Sequence, residues 1–398
     1  MTSPKLYDTI PGGVRVQPQP YQLQVDDQKL QDLQTLLKLS PVAKETYENL
    51  QNDGSHGQFG VSRKWIVEAK KHWQESFDWR KEETHINSFP NFKTKVTDND
   101  GSIFDIHFAA LFSSKADAVP LAFFHGWPGS FLEFLPLMKV LCARYTPDTL
   151  PYHIIVPSLP GFALSSDPPL DRDWKVADTS RIMHKLLLSL GFASSGYLVQ
   201  GGDIGSLVSR NMAATYPECK GMHLNFMYTK DIQNKASPDD VLSAQEQKGL
   251  ERMQEFQSRG SAYAVEHATK PSTIGLVLAS SPVAQLAWIG EKFLAWSDPS
   301  TTPSLDTMLA DITLYWLTAC FPTSIYTYRE PKETLHVGKP VGYSYFPFEL
   351  APVPRAWAER TGQLVFFKAH DQGGHFAALE KPEALLEDVE EWVKRAWK

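Results

Sequence analysis

The chain has 398 residues, enough for one large domain with an insertion or for two domains. Apolar residues make up 42% and charged residues 21%, the balance of a soluble globular protein, and a formal charge of −7 argues against nucleic acid or an anionic membrane as partner. Three widely spaced cysteines, Cys142, Cys219 and Cys320, form no CxxC pair, so no zinc or redox motif is expected, and the sparse count suits a reducing compartment.

The stretch Met1 to Val14 lacks an apolar h-region, and no run of about 18 apolar residues follows that could span a bilayer. The expectation is a soluble, cytoplasmic protein. Residues 1–100 read as a meander wrapped around a core. Asp26 and Asp27 cap a helix running to Leu37, with Leu30, Leu33, Leu36 and Leu37 on one face. A second helix starts at Ser62 and carries Trp65, Ile66, Ala69, Trp73 and Phe77 at helical spacing, which is core packing.

From about residue 90 the period changes to that of strands. Asn91–Val96 and Ile103–Phe112 predict an antiparallel pair around the turn Asp98-Asn99-Asp100-Gly101. Strand Val119–Phe124, helix Phe131–Tyr145, strand His153–Pro157, helix Val176–Leu190, strand Tyr197–Gln200, a further helix and strand Met222–Met227 follow. Strands alternating with helices predict βαβ units on a mostly parallel sheet, with residues 101–227 as the first part of an α/β core. Residues 228–327 break the rhythm with a largely helical insertion, placed to form a lid over the C-terminal strand edge where such sheets bind ligands. Residues 328–398, with strand Gln363–Lys368 and amphipathic helix Pro382–Trp397, complete the core.

The chemistry centres on Gly201-Gly202-Asp203-Ile204-Gly205-Ser206, between the apolar run Tyr197-Leu198-Val199 and the helical stretch from Leu207. Strand, tight glycine turn and helix are the setting of a nucleophile elbow. The same residues also suit a surface turn, where Asp bonds its own backbone and Gly supplies positive φ. A carboxylate at the elbow changes the reaction. It attacks an ester to no useful end, but it displaces a leaving group from an sp³ carbon and becomes an alkyl ester. With a free pKa of about 3.9, Asp203 is ionised at neutral pH and needs no base for attack.

A base is needed afterwards, to make water attack that ester. His375, in Gln372-Gly373-Gly374-His375-Phe376 after strand Gln363–Lys368, stands on a loop at the correct sheet edge. Glu349, in Tyr345-Phe346-Pro347-Phe348-Glu349-Leu350, is the candidate acid to orient it, and Asp231 is the rival. An oxyanion hole would draw one amide from Ile204 and a second from Trp127, in His125-Gly126-Trp127-Pro128-Gly129-Ser130. An uncharged epoxide would also need an acid for its leaving oxygen. Tyr263 in the insertion and Tyr328 at its end are candidates, although composition alone does not single them out among 14 tyrosines.

These motifs, with Thr269-Lys270-Pro271-Ser272-Thr273-Ile274-Gly275 and Gly373-Gly374-His375-Phe376-Ala377-Ala378, carry a resemblance over nearly the whole chain. The chain resembles the microsomal-type epoxide hydrolases of the α/β-hydrolase superfamily, and among them the soluble fungal, Aspergillus-type branch. The resemblance implies an α/β-hydrolase fold with a mostly parallel central sheet, a helical lid insertion and an N-terminal meander. It implies Asp203 as nucleophile, His375 as base, an acid at Glu349, Tyr263 and Tyr328 as acids on the epoxide oxygen, and oxyanion donors at Trp127 and Ile204. It implies no cofactor and no metal, a small-molecule epoxide and water as reactants, and pairing through the lid as a homodimer. A haloalkane dehalogenase would use the same Asp, His and acid but needs halide donors where this insertion offers phenols. A non-catalytic binding protein of the same fold predicts loss of at least one of these residues, and all are present.

Overall fold

The structure is a computed structural model and describes residues 3–51, 56–229, 231–330 and 334–398. Nine strands form one sheet. They are β1 (Gln19–Tyr21), β2 (Asn91–Thr97), β3 (Ile103–Leu111), β4 (Val119–Phe124), β5 (Tyr152–Pro157), β6 (Tyr197–Gly201), β7 (Cys219–Leu224), β8 (Val337–Tyr345) and β9 (Gly362–Ala369). Their spatial order is β1-β2-β3-β5-β4-β6-β7-β8-β9. The pairs from β5 through β9 are parallel, and β3, β2 and β1 extend the sheet beyond β5 through successive antiparallel pairings.

Apolar residues occupy both faces of the central strands, so the sheet is buried on both sides. In β4, Leu121 and Phe123 join one core cluster while Ala122 and Phe124 join the other. Alternate side chains point to opposite faces, so the two clusters are the two layers of helix packed on the sheet. Burying each such Leu or Phe contributes about 1.5–3 kcal/mol.

The N-terminal segment follows its sequence closely. Asp26 accepts the Gln28 amide and caps α1 (Asp27–Leu39), which buries Leu33 and Leu37, whereas Leu36 turns outward at 37% exposure. Ser62 accepts the Trp65 amide and caps α2 (Arg63–Glu75), which buries Ile66, Ala69 and Trp73, while Phe77 lies past the helix end.

Several boundaries differ from the sequence expectation. The helix expected over Phe131–Tyr145 opens as a 3₁₀ turn, Phe131–Phe134, and becomes α3 (Leu135–Arg144) where Pro136 starts it. The next helix, α4 (Val176–Leu187), runs on through Leu190 as a π turn, Leu188–Phe192, and breaks at Gly191 with φ of +95°. The strand expected over Met222–Met227 is β7, shifted to Cys219–Leu224. Strands β1 and β8 carry no clear signal in the sequence.

Helix α5 (Asp203–Thr215) follows β6 directly. Between β7 and β8 stand α6 (Ala244–Glu255), α7 (Ala262–Thr269), α8 (Pro271–Ala279), α9 (Pro282–Trp296) and α10 (Leu305–Thr318). The closing helix is α11 (Pro382–Ala396). Among the described residues no single helix is long and apolar enough to cross a membrane.

Candidate active site

Four strand ends build the site. β6 ends at Gly201, and Asp203 follows two residues later as the first residue of α5, with a φ of +44°. Positive φ in a residue other than glycine is a strained conformation, held here by tight packing on both sides. A Cβ on Gly205 would lie 2.0 Å from the Phe124 carbonyl oxygen, and one on Gly201 would lie 2.2 Å from the Gly205 carbonyl oxygen. Only glycine allows α5 to start this close to β4 and β6.

β4 ends at Phe124 and feeds the His125–Ser130 turn. The Trp127 amide donates to Asp203 Oδ1 at 2.8 Å. A Cβ on Gly126 would lie 2.2 Å from that oxygen and 2.6 Å from the Ile204 amide nitrogen, so both expected oxyanion donors border the carboxylate across a bare glycine. His125 has a structural part. It is buried, its Nε2 accepts the Leu159 amide at 3.1 Å, and burial pulls its pKa down to about 4.

The ends of β8 and β9 bring in Glu349 and His375. His375 Nδ1–H donates to Glu349 Oε1 at 2.5 Å, and Nε2 lies 3.4 Å from Asp203 Oδ2. Glu349 Oε1 also accepts the Leu350 amide at 2.6 Å. Burial works against a charge on His375, but Glu349 and Asp203 outweigh it and push the pKa up to about 10. Asp231 is engaged elsewhere, accepting the Thr334 amide at 2.9 Å and the Thr334 hydroxyl at 2.7 Å.

Above the carboxylate the two tyrosines meet the Trp127 ring. Tyr263, on α7, stacks on it at 5.2 Å between centroids, and Tyr328, on the 3₁₀ turn Tyr326–Arg329, meets it edge-on at 6.0 Å. Their own rings are 5.8 Å apart and the phenols share a hydrogen bond. Burial, with the charge of Asp203 adding to it, holds both phenols well above their ordinary pKa. Both are therefore neutral donors at pH 7. Trp296, at the end of α9, ties the two halves of the site. Its ring centroid is 5.1 Å from that of Tyr263 and 5.1 Å from that of His375, and its carbonyl accepts the His375 amide at 3.0 Å.

A cavity of about 10 Å³, the size of one water, is lined by Gly126, Trp127, Glu133, Asp203, Asn225 and His375. Sequence reasoning missed Glu133 there. Burial, with Asp311 beside it, holds its carboxyl well above the usual range. Asp311 itself accepts the Ser130 hydroxyl at 2.5 Å, and burial pushes its pKa up to about 7. The signal was present in the spacing, since Ser130 and Glu133 follow the Trp127 turn, but acids near a turn read as solvated.

The chain is similar to known proteins along nearly its whole length. The family model described as epoxide hydrolase N terminus matches residues 18–134, and the alpha/beta hydrolase fold model matches residues 119–263. A Dothistroma septosporum protein assigned by name to the epoxide hydrolases is 44% identical over 397 residues, covering 98% of this chain and 93% of that protein. Epoxide hydrolase 1 of Oryctolagus cuniculus is 31% identical, covering 94% of this chain and 88% of that protein. The structure of Aspergillus niger epoxide hydrolase superposes with a TM-score of 0.91 at 47% identity, covering 98% of this chain and all of that one (100%). Matched along nearly its whole length by fungal and mammalian enzymes of one activity, on the α/β-hydrolase fold, the chain belongs to the epoxide hydrolase family.

Proposed function

We propose that the chain converts aryl and alkyl epoxides to vicinal diols through an alkyl-enzyme ester on Asp203. The observation that carries this reading is the placement of one carboxylate between an amide donor and two neutral phenols. Halide departure would need no proton, so paired phenols point to an oxygen leaving group. Asp203 Oδ2 attacks an epoxide carbon, the carbon–oxygen bond breaks, and the oxygen takes a proton from Tyr263 or Tyr328. The helical segment of residues 228–327 acts as the lid that supplies Tyr263.

Ester formation removes the charge of Asp203, one of the two carboxylates that hold a proton on His375. His375 then gives that proton, by way of water, to the phenolate and becomes a neutral base. Water in the small cavity gives it a proton and adds to the ester carbon. The negative charge falls on Oδ1, facing the Trp127 and Ile204 amides, each such donor being worth about 10²–10³ in rate. The intermediate collapses, the departing diol oxygen takes the proton from His375, and the new Asp203 carboxyl proton returns to His375. Glu349 fixes the imidazole throughout.

The test is mass spectrometry of a His375→Gln variant mixed with styrene oxide. Asp203 should gain the full mass of the epoxide. Absence of any adduct, while the native chain still makes diol, would mean direct attack by water.

A further inference from the structure

Lys292 lies on α9 with Trp288 one turn before it and Trp296 one turn after. The residue is 4% exposed. Its ammonium is 4.8 Å from the centroid of the Tyr263 ring, 5.4 Å from Trp288 and 5.9 Å from Trp296, and Glu291 pairs with it. Taking an ammonium out of water is costly. The same helix buries Leu286, Ile289 and Phe293 without any charge, so packing alone gives no reason for a cation at this position. Burial lowers the Lys292 pKa, while Glu291 pulls against that shift.

A cation over an aromatic face is attracted by the electron density of the ring. A phenolate ring is richer in electrons than a phenol ring. The same ammonium therefore holds Tyr263 more strongly after its proton has left than before. An interaction that grows along the reaction lowers the barrier, whereas one that is constant does not.

We propose that Lys292 is a positioning residue for ring opening: its ammonium, seated on the Tyr263 ring, supports the phenolate that forms as Tyr263 gives its proton to the epoxide oxygen. The inference rests on the reading of Tyr263 as an acid. The phenol O–H bond breaks, the proton goes to the leaving oxygen, and the ammonium keeps all its hydrogens.

The experiment is a double-mutant cycle in single-turnover kinetics with styrene oxide, following formation and decay of the Asp203 ester separately. Lys292→Met should slow ester formation about tenfold and change ester hydrolysis less than about twofold, while Lys292→Arg keeps near-native ester formation because the charge is retained. In a Tyr263→Phe background, Lys292→Met should add almost nothing. Ester formation at the native rate in Lys292→Met, an equal loss in Lys292→Arg, or an undiminished effect in the Tyr263→Phe background would each overturn the proposal. If the methionine variant does not fold by circular dichroism, Lys292→Gln takes its place in the same cycle. A native rate in Tyr263→Phe alone would instead remove the acid role of Tyr263, which separates the two failures.

Discussion

The Trp127 amide holds Oδ1 of Asp203 at 2.8 Å, while Oδ2 of the same carboxylate faces His375 Nε2 at 3.4 Å. The two oxygens are therefore not equivalent. On the proposed mechanism, the one held by the amide keeps its place as carbonyl oxygen and then oxyanion, and the one facing His375 forms the ester. In heavy-oxygen water, a single turnover should place one label on the Asp203 side chain and none in the diol. Label in the diol from that first turnover, with an unlabelled Asp203 peptide, would show direct hydrolysis.

Replacing Tyr263 and Tyr328 together by Phe removes two hydroxyls from the wall opposite Asp203. Ester formation should fall on the order of 10²–10⁴-fold, the usual worth of general acid catalysis. Melting temperature should move by only a few degrees, since both rings keep their contacts with Trp127. Undiminished epoxide turnover in the folded double variant would remove both residues from the mechanism.

Glu349 is buried and its bond to His375 is 2.5 Å long. Glu349→Gln keeps the shape and removes the charge that steadies an imidazolium. Ester hydrolysis should slow on the order of 10²–10⁴-fold while ester formation persists, so the Asp203 adduct should accumulate in rapid-quench samples. Equal slowing of both steps would argue for a structural part alone.

Asp311 gives a stability signature outside the reaction. Its folded pKa, about 7, lies above the ordinary 3.8 because burial disfavours the charged form. A raised acid binds its proton more tightly in the folded state. Its contribution is fully present below about pH 4 and is lost as pH rises to about 7. The native chain should lose stability over that window, and Asp311→Asn should recover on the order of 2–4 kcal/mol at pH 8 relative to pH 5. Urea unfolding at the two pH values measures the difference, and parallel curves for the two proteins would refute it.

A methyl group at position 205 meets the Phe124 carbonyl oxygen at 2.0 Å. Gly205→Ala should therefore push α5 away from β4, costing about 1–3 kcal/mol and displacing Asp203 from the Trp127 amide. Thermal unfolding and ester formation should both suffer, unlike the tyrosine substitutions, which should touch the second alone.

The elbow and the His375 loop were legible because each is a glycine turn after a short apolar run, a signal that survives without tertiary context. Strand β8, which delivers Glu349, was not legible. Gly338, Pro340 and Gly342 break its alternation, and the register with β9 shifts on both sides of Pro340 and Val341 to accommodate them. Glu349 was found from its aromatic neighbours and from the family resemblance, without the strand that positions it. β7 stops at Leu224, opposite the last residue of β6. The Asn225 amide still donates to the Gly201 carbonyl at the end of β6, and its side chain accepts from Gln200 at 2.8 Å. Lys292 was invisible for a general reason. A charged residue in a helix reads as its solvated face, and only the packing of α9 against Tyr263 of α7 buries that face.

Trp296 joins the carbonyl that holds the His375 loop to the ring that backs Tyr263. On the proposed mechanism both halves of the reaction thus hang on the last turn of one helix. Widening the pocket by shifting α9 would then detune ring opening and ester cleavage in a single stroke. Breadth of substrate and speed of turnover would be one heritable trait, and a laboratory selection for the first would be read out in the second.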